Sequence, residues 1–404
     1  MKLIAFLLLN ATWLAGGVAH AANVSRLPKP SGPYGIGRAA YDWTDNSRRD
    51  SLGQDSKRDR ELMVYLWYPA ERPAAEPHGV YMLGAKLIDA DPELRRRVSE
   101  EFGSEEWAQI LSGAVYSHVV ENAPAARSPK RFPVVIFSHG AGGSSFKYTA
   151  LFEAMVSRGY VVAAIQHPGI AGVVVFPDGR LAPAPRNMFP PGLTPEQLLR
   201  RMSDETRRWI EVGAADERFV FDRLTRENVG VANNFALAGR LDLSRVAVMG
   251  HSAGGASAAR TCELDIRFQA CVDLDGALAP VIALPEGTIQ HPLLFVEAYH
   301  DQAHMAGTAE QKLAFFQKEK EQLRKCPAGS YDVLLNPPAI RHGSFSDDFI
   351  LNAGNTPAQA LHNLDLSESH ILAFLDKDLK HIPAPLLDDP QAPRPESSIQ
   401  RLGH

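Results

Sequence analysis

The chain has 404 residues, 22% of them charged, and a formal net charge of −5. That length allows two average domains or one large α/β domain. No basic block of the kind nucleic acid or an anionic membrane surface requires is present, so neither is an expected partner. Three cysteines, Cys262, Cys271 and Cys326, allow one disulfide with a thiol left over, without choosing the pair.

The first residues, "MKLIAFLLLNATWLAGGVAHAAN", carry one lysine, a short apolar stretch and an A-x-A ending at Ala19, His20 and Ala21. This reads as a secretory signal peptide over 1–21, too short and too broken for a membrane span, and implies export to the periplasm or outside the cell. One domain is expected over 22–381, with a helical insertion around 80–125. "LMVYLWYP" is a strand ended by Pro69, and "FPVVIFSHG" a buried strand that breaks at Gly140. Tyr148, Leu151, Phe152 and Met155 then share one helix face, stopped by Gly159, before the strand "YVVAAIQ". A helix runs through "DETRRWIEVGAADERFVFDRLTREN", followed by the strand "RVAVMG" and a small-residue helix from Ser252. "FQACVDLD", "PLLFVEAY" and "YDVLLN" continue the strands, and Asp365 caps a last helix. The segment 382–404 carries Pro383, Pro385, Pro390, Pro393 and Pro395, and is expected to pack loosely or not at all. Apolar strands alternating with helices imply a mostly parallel central sheet with helices on both faces, with functional groups at the carboxyl ends of its strands.

"GHSAG", Gly250 to Gly254, matches G-x-S-x-G between a strand and a small-residue helix, the context of a nucleophile elbow. Ser252 is therefore the candidate nucleophile. A serine hydroxyl needs a base and the base an orienting acid, in the chain order serine, acid, histidine. Asp275 ends the next strand; Asp301, after the following one, and Asp273 are its rivals. His342, in the turn-rich loop "PPAIRHGSFSDD" after a strand, is the candidate base, with His362 and His370 as alternatives. The amide of Ala253 and that of Ala141, in the glycine-rich "FSHGAGGSS", are the candidate oxyanion donors; His139 and His251 beside them brace the loops. No C-x-x-C or H-E-x-x-H occurs, and His300 and His304, four apart around Asp301, fit a loop better than a helix face. No metal and no organic cofactor is implied.

The ordered series "PYGIGRAAYDW", "YLWYPA", "FPVVIFSHGAGG", "RGYVVAAIQH", "VAVMGHSAGGA", "RFQACVDLDGA", "HPLLFV", "HGSFSDDF" and "LDLSESHILAFL" resembles the secreted, plasma-type (isoform II) platelet-activating factor acetylhydrolases. These are a lipid-esterase branch of the α/β-hydrolases, and the likeness runs from about Pro33 to Leu379. It implies an acid in an L-D-[AG] context, matched by Leu274, Asp275 and Gly276, which favours Asp275 over Asp301. It implies a histidine ahead of an aromatic residue and an aspartate, matched by His342, Phe345 and Asp347, and oxyanion donors at Ala141 and Ala253. The implied activity is release of short or oxidised sn-2 acyl groups from a phospholipid, with transient contact to a lipid surface. Ala141 and Ala253 are small where the animal enzymes carry bulky apolar residues, and "QHPGIAG" replaces a charged E-H-R-D run. The charged 84–113 segment is no clear lipid anchor. A broad carboxylesterase acting on small esters or polyesters is the second expectation. A hydrolase-fold binding protein without turnover is the third, disfavoured by the full set of candidate residues.

Overall fold

A computed structural model of the chain describes residues 27–53, 57–184, 192, 195–230, 235–276, 289–298, 309–336, 340–352, 357–389, 391 and 396–403. The expected leader, Asp301, His300 and His304 lie outside them.

Ten strands form one sheet: β1 (Gly35–Arg49), β2 (Asp59–Ala70), β3 (Val119–Glu121), β4 (Phe132–Ser138), β5 (Val161–Gln166), β6 (Leu241–His251), β7 (Ala270–Leu274), β8 (Leu293–Ala298), β9 (Tyr331–Leu335) and β10 (Ser397–Arg401). Their order is β10-β9-β8-β7-β6-β4-β5-β2-β1-β3. The run from β5 through β4 and β6 to β9 is parallel, β2 is antiparallel to β5 and to β1, and β10 is antiparallel to β9. Every residue of β4, β5 and β7 is buried, as strands covered on both faces require. Helices α1 (Ala85–Ala90), α2 (Pro92–Phe102) and α3 (Ser104–Ser112) make up the charged insertion. The sheet is covered by α4 (Thr149–Ser157), α5 (Pro195–Val229), α6 (Ala253–Leu264), α7 (Ala309–Leu323) and α8 (Pro357–Lys380). Two apolar cores, one on each side of the sheet, include Phe137, Met249 and Val272, and Ile136, Val248 and Cys271, respectively. Alternate residues of one strand thus feed opposite cores, the period-2 geometry of a strand.

The structure corrects three expectations. Asp365 does not cap the last helix but lies within it, since α8 already begins at Pro357. The C-terminal segment is no loose tail: Ser397–Arg401 adds an edge strand to the sheet, and Leu387 and Leu402 are buried. Ser397 to Arg401 pair residue by residue with Leu335 to Tyr331 along the open edge of β9. The residues after α3 also leave the helical insertion early, since Val119–Glu121 pairs in parallel with Ile36–Arg38 of β1. Of the cysteines, Cys262 and Cys271 are joined by a disulfide and Cys326 is free and buried.

Candidate active site

Strand β6 ends in a turn centred on Ser252, whose φ of 57° and ψ of −123° no regular element uses, and α6 begins at the next residue. Only glycine fits around it. A Cβ on Gly250 would stand 2.3 Å from the Gly254 carbonyl carbon, and one on Gly254 2.1 Å from the Ser138 oxygen. The Ser252 N–H donates to the Leu274 carbonyl at 2.9 Å, which ties the turn to the end of β7. Asp275 follows there, also at positive φ, 55°. Such conformations cost about 1–3 kcal/mol each for non-glycine residues and persist only where surroundings hold them. Strand β8 does the holding: the Asp275 N–H donates to Val296 O at 2.8 Å, and the Ala298 N–H donates to Asp275 Oδ1 at 2.9 Å.

The second carboxylate oxygen, Oδ2, is 2.6 Å from His342 Nδ1. A carboxylate only accepts, so Nδ1 carries the proton and Nε2 keeps the lone pair. Among the described residues, the rival candidates Asp273, His362 and His370 stand apart. Asp273 is fully buried, its Oδ1 accepts the Gly276 N–H at 2.8 Å, and burial pushes its carboxyl well above the usual range. His362 lies at the surface, 3.4 Å from Glu396, and His370 is buried in α8, bonded to the Leu366 carbonyl and Ser397 Oγ.

The glycine-rich loop after β4 lies against the serine turn, since a Cβ on Gly140 would be 3.2 Å from Ser252 Cβ. The Gly142 N–H is spent on Ile170 O (2.8 Å) and that of Gly143 on Gly140 O (3.1 Å). Among the described residues the amides of Ala141 and Ala253 have no such acceptor. The Ala253 amide opens a helix, where N–H groups lack partners and the helix dipole favours negative charge.

The loop rests on His139, as expected, and behind it on polar residues that no motif announced. His139 donates from Nδ1 to Gly140 O at 2.8 Å and accepts the His167 N–H at Nε2, 3.3 Å away. Burial, with His167 beside it, holds its pKa down at about 3, so the ring is neutral. His167 in turn bonds Asp216 Oδ2 through Nδ1 (2.9 Å) and Ser138 Oγ through Nε2 (3.0 Å), and Ser138 meets Glu217 Oε1 at 2.6 Å. Burial opposes ionisation of Asp216, but the Arg60 guanidinium at 2.7 Å and the His167 bond outweigh it and hold the carboxyl far below its usual range. Glu217 is bonded instead by the hydroxyls of Ser138 and Thr261, with no cation among the described partners, and burial pushes it up to about 8. These side chains come from β4, β2, α5 and the turn after β5, too far apart in sequence for any spacing signal.

A family model described as platelet-activating factor acetylhydrolase, isoform II, matches residues 19–175 and 221–381. The chain belongs to this family. A platelet-activating factor acetylhydrolase of Cavia porcellus is 26% identical over 368 residues, 87% of this chain and 78% of that protein. A probable 1-alkyl-2-acetylglycerophosphocholine esterase of Arthroderma benhamiae is 24% identical over 365 residues, 86% and 84% of the two chains. A solved ferulic acid esterase from Streptomyces cinnamoneus superposes with a TM-score of 0.68 at 28% identity, covering 93% of this chain and 99% of its own. This acetylhydrolase-family chain is thus an α/β-hydrolase-fold enzyme that hydrolyses carboxylic esters. Ala141 packs against Leu52, Ile170 and Trp209, so apolar side chains from the β1–β2 connection, the "QHPGIAG" turn and α5 stand behind it.

Proposed function

We propose that this esterase works through an acyl-enzyme on Ser252 and takes phospholipids with a short sn-2 acyl group. His342 Nε2 accepts the serine proton as Oγ attacks the ester carbonyl. Asp275 keeps the proton on Nδ1 and stabilises the imidazolium that forms. The negative oxygen of the tetrahedral intermediate is met by the N–H groups of Ala141 and Ala253, each such donor typically contributing about 100- to 1,000-fold in rate. Collapse breaks the ester C–O bond, and the imidazolium gives its proton to the leaving alcohol. Water then attacks the acyl-serine, losing a proton to the same nitrogen; collapse breaks the acyl C–Oγ bond, the imidazolium returns the proton to Ser252 Oγ, and the acid departs.

The observation that carries this reading is the 2.6 Å bond between Asp275 Oδ2 and His342 Nδ1, beside a serine turn tied by hydrogen bond to the strand that ends at Asp275. Export is part of the proposal: the leader supports it, and so does the Cys262–Cys271 disulfide, a bond that persists mainly in oxidising compartments. Small side chains at Ala141 and Ala253, with 28% identity to a ferulic acid esterase, favour a second reading, a broad esterase on small soluble esters.

The deciding experiment compares a short-acyl phosphatidylcholine, a long-chain phosphatidylcholine and p-nitrophenyl butyrate, with Ser252→Ala as control. Preference for the short-acyl phospholipid, lost in the control, is expected. Turnover of the small ester alone would select the second reading, and undiminished turnover by Ser252→Ala would overturn the nucleophile.

A further inference from the structure

His251 stands between Gly250 and the nucleophile, and no step above uses its side chain. The residue is only 5% exposed, yet both ring nitrogens are engaged. The Tyr148 hydroxyl lies 2.8 Å from Nδ1, and Nε2 lies 2.8 Å from the main-chain carbonyl oxygen of His342. The direction of the chain is forced. A carbonyl only accepts, so Nε2 carries the proton; a neutral imidazole then has its lone pair at Nδ1, which the Tyr148 O–H fills. The ring also lies against the His342 imidazole, centroids 4.6 Å apart, and against Phe345 at 5.6 Å. On the other side, a Cβ on Gly140 would stand 3.5 Å from His251 Nδ1. One ring therefore touches the histidine loop and the glycine-rich loop while its own backbone leads into the serine turn.

We propose that His251 and Tyr148 are positioning residues for the hydrolysis, the directed chain Tyr148 O–H to His251 to His342 C=O setting where the His342 imidazole stands relative to Ser252. The inference rests on the reading above, in which Ser252 attacks and His342 takes its proton. The His342 carbonyl carbon is bonded to the Cα that bears the imidazole, so a displaced carbonyl moves the ring with it. Asp275 holds only Nδ1, which leaves the ring free to swing about that bond; the grip on the main chain removes this freedom. Burial, with His342 next to it, holds the His251 pKa down at about 3, so the ring stays neutral and adds no like charge when His342 is protonated in the transition state. Neither side chain is placed to bind substrate, so the expected loss falls on kcat and not on KM.

The test uses three variants assayed with p-nitrophenyl butyrate beside Ser252→Ala. His251→Phe keeps a ring of similar bulk and removes both hydrogen bonds. Its kcat is expected to fall on the order of ten- to a hundredfold, the cost of about 1 Å of misplacement, with KM unchanged. His251→Gln, which keeps an N–H for the His342 carbonyl, is expected to recover most of that loss. Tyr148→Phe is expected to lower kcat less, and to speed solvent exchange of the His251 Nε2 proton followed by NMR. A folded His251→Phe with parental kcat, a change in KM alone, or a His251→Gln no better than His251→Phe at equal melting temperature would overturn the proposal. If His251→Phe does not fold, Tyr148→Phe decides it: unchanged kcat and unchanged proton exchange would overturn it. Activity surviving in Ser252→Ala would instead sink the nucleophile assignment, a separate result.

Discussion

At the scale of single residues, the site stores its strain in Ser252 and Asp275, two L-residues at positive φ joined through the Ser252–Leu274 hydrogen bond. Asp275→Asn separates geometry from charge. Asparagine tolerates the left-handed region and still accepts the Ala298 N–H, so the fold is expected to hold. Its amide, however, can offer His342 Nδ1 an N–H where the carboxylate offered a lone pair. The opposite tautomer is then favoured, and the imidazolium loses its counter-charge. A fall in kcat on the order of 10⁴-fold is expected, with a circular-dichroism melting curve close to the parent's. A variant retaining a tenth of parental kcat would remove Asp275 from its assigned role. Ser252, Asp275 and His342 were each legible as candidates because a nucleophile elbow needs glycines at fixed offsets and strand ends break in recognisable turns. Tyr148 was legible only as one member of a helix face, since no spacing rule links a tyrosine to a histidine 103 positions later.

Among the elements, α5 does more than cover the sheet: it delivers Asp216 and Glu217, adjacent in sequence and with carboxyl pKa values pushed in opposite directions, beneath the glycine-rich loop. With Glu217 neutral, a consistent set of donors runs from its Oε1–H to Ser138 Oγ, from the Ser138 O–H to His167 Nε2, and from His167 Nδ1–H to Asp216. Its folded pKa, about 8 against an ordinary 4.5, means the folded state binds the proton more tightly than the unfolded one. This contribution is complete below about pH 4.5, is lost progressively as pH rises towards about 8, and is gone above it. Glu217→Gln mimics the neutral form, so its urea midpoint is expected to depend less steeply on pH between 5 and 8 than the parent's. Parallel curves for the two proteins would rule out a protonated Glu217. The apolar central strands were readable from composition alone, because burial on both faces leaves no polar positions. The long β1, with exposed and buried residues interleaved over Gly35–Arg49, was not, because its apolar positions form no continuous run; nor were the brief β3 and β10, because edge strands owe their existence to a neighbour's unpaired backbone.

In the molecule as a whole, the disulfide joins Cys262 of α6 to Cys271 of β7, a separation of 9 residues, and so links the helix that leaves Ser252 to the strand that leads to Asp275. Cross-links closing loops of this size restrict the unfolded chain by about 2–3 kcal/mol in the loop-entropy treatment. The double variant Cys262→Ala, Cys271→Ala is expected to lose that much in urea unfolding while its folded fraction keeps parental kcat. Equal stability of the two proteins would show that the bond does not form. Sequence by itself determined the alternation of central strands and helices, the strand–turn–helix around Ser252 and the type of chemistry, because these rest on local rules: periodicity, glycine where a Cβ cannot fit, and a serine between strand and helix. It ranked Asp275 well above Asp301 only through the family resemblance, left the cysteine pairing open, read the C-terminal segment as loose, and gave no sign of the network under the glycine-rich loop. Tertiary structure decided these, because each depends on groups remote along the chain being brought within 3 Å or so by sheet order and burial, and hydrogen-bond range carries no signature in sequence spacing.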